Sequence, residues 1–202
     1  MANEGQGGRL EAIARAAGAA GSHLPPVHLW NPPYCGEIDL RITADGTWLY
    51  QKTPIGRPAL VRLFASVLKR EGDRYYLVTP VEKCAITVDD APFLAVEVVR
   101  EEGEAPRLIF RTNVGDVVCC GADHALRFER EATGGYKPYV HVRADLWAKA
   151  TRPVYYDLVE YGEIREIDGA PWFGLASGGT FFPMARASEL EDQPEKGGTE
   201  KT

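Results

Sequence analysis

Four cysteines (Cys35, Cys84, Cys119, Cys120), none in a Cys-x-x-Cys spacing, leave nothing from which to build a disulfide framework or a thiolate zinc site. Basic residues are in short supply too. The chain has 23 Lys and Arg against 29 Asp and Glu, a net charge of −6, the opposite of the face that grips a phosphate backbone. Nucleic acid is therefore not an expected partner. No window reaches the roughly 18 consecutive apolar residues of a membrane span, so no membrane role is expected. Also missing are a Gly-x-Ser-x-Gly elbow, a Walker A loop, a Gly-x-Gly-x-x-Gly turn and a His-Glu-x-x-His helix. The four histidines (His23, His28, His124, His141) lack ligand-like spacing, so neither a metal nor a cofactor is expected. Residues 9–20 resemble a leader, but Glu11 and Arg15 interrupt the apolar run and no positive cluster precedes it. A short frayed helix is expected there, in a soluble, cytoplasmic protein with reduced thiols.

What remains is an ordinary globular composition, 45% apolar and 26% charged over 202 residues. A chain of this length buries about 70% of its unfolded surface without a staple. Residues 1–22 read as a flexible segment and 186–202 as a charged, disordered tail. Between them strand grammar dominates. Ile38, Leu40 and Ile42 alternate, Asp45-Gly46 turns the chain, and Trp48 and Tyr50 alternate back. Asp168-Gly169 repeats the device between residues 163–167 and 172–175, and a third hairpin joins 108–112 to 117–120. Further strands are expected over 93–100 and 125–130. Ser177-Gly178-Gly179-Thr180 reads as a hairpin tip, because a phosphate cradle would be followed by a helix.

Two stretches carry helical periodicity. Leu60, Leu63, Phe64, Val67 and Leu68 form one stripe, opened by Pro58 and stopped by Gly72. Tyr155, Leu158 and Val159 form the other, opened by Pro153, closed by Gly162 and entered through a turn at 144–149. The two align. Arg57-Pro58 with Leu63-Phe64 matches Arg152-Pro153 with Leu158-Val159, and Asp45 with Trp48 upstream matches Asp145 with Trp147. A duplicated strand-helix-strand motif is the expectation, with a boundary near residues 80–84.

Chemistry is expected at the two helix starts. A cation beside a helix N-terminus is unfavourable unless an anion shares the place. For Arg57 and Arg152 that anion is either an internal carboxylate, Asp45 and Asp145 being the candidates, or the phosphate or carboxylate of a ligand. Lys83, Arg143 and Thr112 are polar groups suited to converge on the same place. Trp30, in Trp30-Asn31-Pro32-Pro33-Tyr34, reads as part of an extended strap or as a platform for a planar ligand. Cys84, which follows Lys83, is a small buried thiol or an activated one. His141 is expected to be a hydrogen-bonded structural residue.

Several short motifs together resemble the bacterial domain-of-unknown-function family 1285: Asp45-Gly46-Thr47-Trp48, Thr79-Pro80-Val81-Glu82-Lys83, Pro92-Phe93, Thr112-Asn113, Pro138-Tyr139 and Arg152-Pro153. The likeness spans roughly residues 25–183. It implies a two-part α+β protein with a duplicated motif, a pleckstrin-homology-like C-terminal part, a nucleotide-like ligand between the parts and a role in signalling. It brings no catalytic residues, and its matching positions include Asp45, Arg57, Lys83, Thr112 and Arg152.

The resulting expectation is an α+β protein with an N-terminal domain over 23–82 and a β-rich domain with a helix over 83–185. A small anionic ligand, nucleotide-based compounds being one class, would bind non-catalytically at the cleft between them, held by Asp45, Arg57, Lys83, Thr112, Arg143 and Arg152, for a regulatory or signalling end. A protein–protein interaction module is the first alternative. An unrecognised enzyme using Asp45 or Cys84 is the second.

Overall fold

The computed structural model describes residues 4–18, 24–132 and 134–191. The chain opens with helix α1 (Glu4–Gly18). Its Leu10, Ile13 and Ala17 fall three and four apart, the spacing of one helix face, and all three are buried. This corrects the expectation of a flexible segment: the stripe docks the helix on the core. A strap with a 3-10 turn (Val27–Leu29) leads into the first sheet, and Trp30 packs on the core as part of that strap.

The first sheet has β1 (Tyr34–Ile42), β2 (Trp48–Tyr50), β3 (Thr53–Pro54), β4 (Leu68–Glu71), β5 (Arg74–Val78) and β6 (Lys83–Val88), in the order β3-β2-β1-β6-β5-β4. Asp45-Gly46 closes the β1–β2 hairpin as its spacing predicts, with Ile42 opposite Trp48. Helix α2 (Pro58–Ser66) crosses between β3 and β4. It stops one turn before the predicted end, where the Ser66 hydroxyl donates to the Leu63 carbonyl at 2.7 Å. Leu68 instead opens β4, and Gly72 turns a hairpin rather than ending a helix. Because β6 lies parallel to β1 inside this sheet, the first part extends to Val88, past the predicted boundary at 82.

The second sheet is built from β7 (Phe93–Glu101), β8 (Arg107–Thr112), β9 (Val117–Cys119), β10 (Leu126–Arg130), β11 (Tyr136–Arg143) and β12 (Leu146–Ala150), ordered β10-β11-β12-β7-β8-β9. A turn is expected over residues 144–149, but Leu146–Ala150 form β12, which pairs parallel with β7. Helix α3 (Arg152–Tyr161) follows and packs on β7. A separate three-stranded sheet comes next: β13 (Glu163–Ile167), β14 (Ala170–Ser177) and β15 (Thr180–Arg186). Its first turn, Asp168-Gly169, has φ of 51° and 73°, the left-handed pair of a tight hairpin. Gly178-Gly179 is the predicted hairpin tip. The tail, expected to be disordered from 186, continues in β15 and a short helix α4 (Ala187–Glu191). There Glu189 accepts from Tyr136 at 3.2 Å and Arg130 at 3.3 Å. Residues 192–202 and His23 lie outside the described residues.

One hydrophobic core runs through both parts, from Ile13, Leu40 and Phe64 to Phe93, Phe110, Leu158 and Leu175. Its polar fastening is Ser177. The buried hydroxyl donates to the Cys120 carbonyl at 2.7 Å and accepts from the Leu108 N–H at 2.8 Å, tying the third sheet to the second. A second fastening is Asp90, between the parts. It accepts from Lys149 at 2.7 Å and Tyr139 at 2.8 Å, while Lys149 also reaches the Ala44 carbonyl at 3.3 Å. Burial pushes the Asp90 carboxyl upward, but the hydrogen bonds from Lys149 and Tyr139, with the Lys149 and Lys137 charges, outweigh it and hold the group below its ordinary value.

Two outcomes are expected. Ser177→Ala strands a buried N–H and a buried carbonyl and should cost about 2–4 kcal/mol in urea denaturation. Asp90, with a folded pKa below its unfolded value near about 3.9, stabilises fully above that pH and less as pH falls through the folded value. Asp90→Asn should therefore be less stable than the parent at pH 7, and the difference should shrink between about pH 4 and pH 2 in thermal unfolding.

Candidate functional site

The predicted ligand residues fall into five places. Arg57 sits just before Pro58 at the start of α2 and lines a cavity with α1 and the β2–β3 hairpin. Arg152 opens α3 and lines a different cavity, with the β10–β11 loop. The two cavities share no lining residue, which corrects the expectation that both arginines look into one hollow. They are separate because α2 belongs to the first sheet and α3 packs on the second.

Neither arginine is neutralised by its proposed aspartate. Asp45 is exposed and caps its own turn, accepting from the Thr43 hydroxyl and, at 3.1 Å, from the Thr47 N–H. These bonds hold its carboxyl below the ordinary range. Asp145 lies 3.5 Å from Arg70. Arg152 donates instead to the Tyr156 hydroxyl at 3.1 Å.

Thr112 and Arg143 do come together, through Asp116. The Thr112 hydroxyl accepts the Asp116 N–H at 3.0 Å and closes the β8–β9 turn. That turn aims Asp116 at Arg143, whose Nη1 donates to Oδ2 at 2.6 Å. The other arm of Arg143 crosses to the first part and donates to the Ala65 carbonyl near the end of α2 at 2.9 Å. Its guanidinium lies 4.9 Å from the Phe93 ring centre. Beside this bridge, Gly46 (φ 81°) approaches the second sheet so closely that a Cβ would stand 2.7 Å from Leu94 Cδ1. Lys83 forms another group, sharing Glu71 with Lys69 at 2.8 and 3.0 Å.

Above the Arg143 bridge lies a cleft of about 520 Å³ between the parts. The strap (Leu24, Pro25, Pro26) and Leu146 supply its apolar walls, and Lys69, Arg70 and Arg143 supply its cations. Arg143 is held by Asp116 and Lys69 by Glu71. Arg70 is not held so tightly. Among the described residues its carboxylate neighbours stand at 3.5 Å (Asp145) and 3.7 Å (Asp73), beyond the ~2.7–2.9 Å of a charge-assisted hydrogen bond, and its buried Nε has no hydrogen-bond partner there. The residue was missed because Lys69 and Arg70 follow a stripe that reads as helix. The Lys-Arg pair beside it was the available signal.

The nucleophile candidates sit in unpromising surroundings. Cys84 is buried, with its Sγ 3.9 Å from a Glu82 carboxylate oxygen. Burial, more than any other influence, pushes Cys120 up to about 12. His141 has ring nitrogens facing the Asp123 and Ala144 carbonyls at 2.9 and 2.5 Å, as a structural histidine should. No group of three or more His, Cys, Asp or Glu side chains among the described residues could hold a metal. With a disulfide-exchange reagent on the native protein, exposed Cys119 should react first and Cys84 and Cys120 only on unfolding. Fast labelling that survives Cys119→Ser and localises to either buried thiol would contradict this.

Comparisons with known proteins agree on one family. Residues 25–91 match the model described as "Domain of unknown function (DUF1285), N-terminal domain", and residues 92–184 the corresponding "Protein of unknown function (DUF1285), C-terminal domain". A crystal structure of a DUF1285 family protein from Silicibacter pomeroyi DSS-3 is similar, with 53% identity and a TM-score of 0.82 over 90% of this chain and 97% of that one. A second, from Shewanella baltica OS155, has 30% identity and a TM-score of 0.50 over 61% of this chain and 91% of that one. No curated protein matches. With family models on both sides of the junction at 91/92, where the first sheet gives way to the second, the chain belongs to the DUF1285 family.

Proposed function

We propose that the chain binds a small organic anion, with a nucleotide as one class, in the cleft between its two parts, and that this binding is non-catalytic and serves regulation or signal transduction. The observation that carries the reading is Arg70: a guanidinium on the cleft wall that has, among the described residues, a buried donor unpartnered and loose carboxylate neighbours. An anion there would pair with the guanidinium while its planar or apolar body lies on Pro25, Pro26 and Leu146. Lys69 adds positive potential at the rim. Both Arg-Pro helices lead into antiparallel hairpins, β4–β5 and β13–β14, which supports the further proposal that the parts descend from one duplicated unit. The pleckstrin-homology likeness of the second part belongs to the same reading.

A protein-interaction role is the second reading, favoured by β13. It is an edge strand of a three-stranded sheet, and its Ile164 is 63% exposed. An unpaired strand of this kind can accept a strand from a partner.

Thermal shift against a panel of nucleotides and other organic anions tests the first reading. At 100 times its dissociation constant a ligand adds ~2.7 kcal/mol, which for a chain of this size is an upward shift of about 5–10 °C. Arg70→Gln should abolish the shift, and Arg152→Gln should leave it unchanged. A panel without effect, or a shift that Arg70→Gln does not alter, contradicts the proposal.

A further inference from the structure

The cavity beneath α1 is distinct from the inter-part cleft and has a character of its own. It encloses about 400 Å³, within the usual ~300–1,000 Å³ of small-molecule sites. Leu10 and Ala14 of α1, Leu60 and Phe64 of α2, and Ile55 give it apolar walls. The charge at its mouth comes from the Arg57 side chain, since Pro58 at the first helical position has no N–H to offer. Among the described residues the Arg57 side chain has no hydrogen-bond or ion-pair partner.

Tyr50 also lines the cavity, and its buried hydroxyl has no hydrogen-bond partner among the described residues. Burial first, then the Asp39 and Glu11 carboxylates, pushes its pKa up, so the phenol stays protonated and remains a donor. Glu11 stands on the same wall. Among the described residues that line the cavity, one cation and one acid balance, which disfavours polyanionic phosphates and suits a monocarboxylate or a zwitterion. The hairpin that carries Thr53 and Pro54 to the wall is strained: Gln51 and Lys52, neither a glycine, have φ of 49° and 64°. Backbone strain of this kind collects at ligand clamps.

We propose that this cavity is a second binding site, for a small molecule that joins one carboxylate to an apolar or aromatic body. Arg57 takes the carboxylate through its planar fork, and the body packs between α1 and α2. A free acid and an apolar amino acid share this chemistry. The latter would also place its ammonium near Glu11.

The full chain is titrated with 3-phenylpropionate, L-phenylalanine, L-phenylalaninamide and inorganic phosphate, following thermal unfolding and the amide resonances of ¹⁵N-labelled protein. One or both carboxylates should raise the unfolding temperature and shift the Gly56 and Leu60 amides, and which of them acts tells a free acid from an amino acid. The amide and phosphate should do neither. Arg57→Gln, at an exposed position, should weaken the response about tenfold or more, and Arg57→Lys less so. Arg70→Gln should leave it intact, so a failure here and a failure in the inter-part cleft are separate results. No response to either carboxylate, or equal binding by Arg57→Gln, overturns the proposal.

Discussion

Arg143 stands where the two halves of the molecule are fastened. One arm holds Asp116 of the second sheet at 2.6 Å, the other holds the Ala65 carbonyl of α2 at 2.9 Å, and the plane of the guanidinium covers Phe93. Each contact needs the others. Asp116 is aimed by the turn that Thr112 closes, and Ala65 offers its carbonyl because α2 ends there. Burying a guanidinium is costly unless its donors are met, and Arg143 meets that cost with Asp116 and the Ala65 carbonyl, so the relative placement of α2 and the β8–β9 turn is constrained. The cleft above inherits its shape from that constraint.

The same economy explains why the cationic residues differ in role. Arg143 and Lys149 have strong internal acceptors and spend their donors on the joint. Lys69 and Lys83 share Glu71. Arg70 and Arg57 are left with donors to offer, in cavities that do not overlap. The two helix-start arginines that look equivalent along the chain are not equivalent in space, since each helix serves a different sheet.

Much of the architecture was legible in local pattern. Period-two alternation around Asp45-Gly46 and Asp168-Gly169 marks hairpins because few residues besides glycine enter such turns without strain. The Gly178-Gly179 tip was legible because an apolar run rather than a helix follows it. What failed was long-range or ambiguous. Val67 and Leu68 continue the 3.6-residue stripe of α2 although Leu68 starts a strand, since a short apolar run fits either period. That misreading concealed Arg70. The parallel pairing of β6 with β1 leaves no local mark, so the boundary was drawn too early. Of Lys83, Arg143 and Thr112, expected to converge with the helix-start arginines, Arg143 and Thr112 meet through Asp116 instead, and the Ala65 carbonyl that completes their arrangement is a backbone group 78 positions from Arg143, invisible to any motif.

The most direct measurement is a double-mutant cycle between Arg143 and Asp116, using Arg143→Met and Asp116→Asn with stability read by urea denaturation. If the pair fastens the two halves, the coupling energy should be about 1.5–3 kcal/mol. Additive effects, with coupling inside the ~0.3–0.5 kcal/mol of independent sites, would show that the bridge does not hold the joint and that the cleft owes its form to something else.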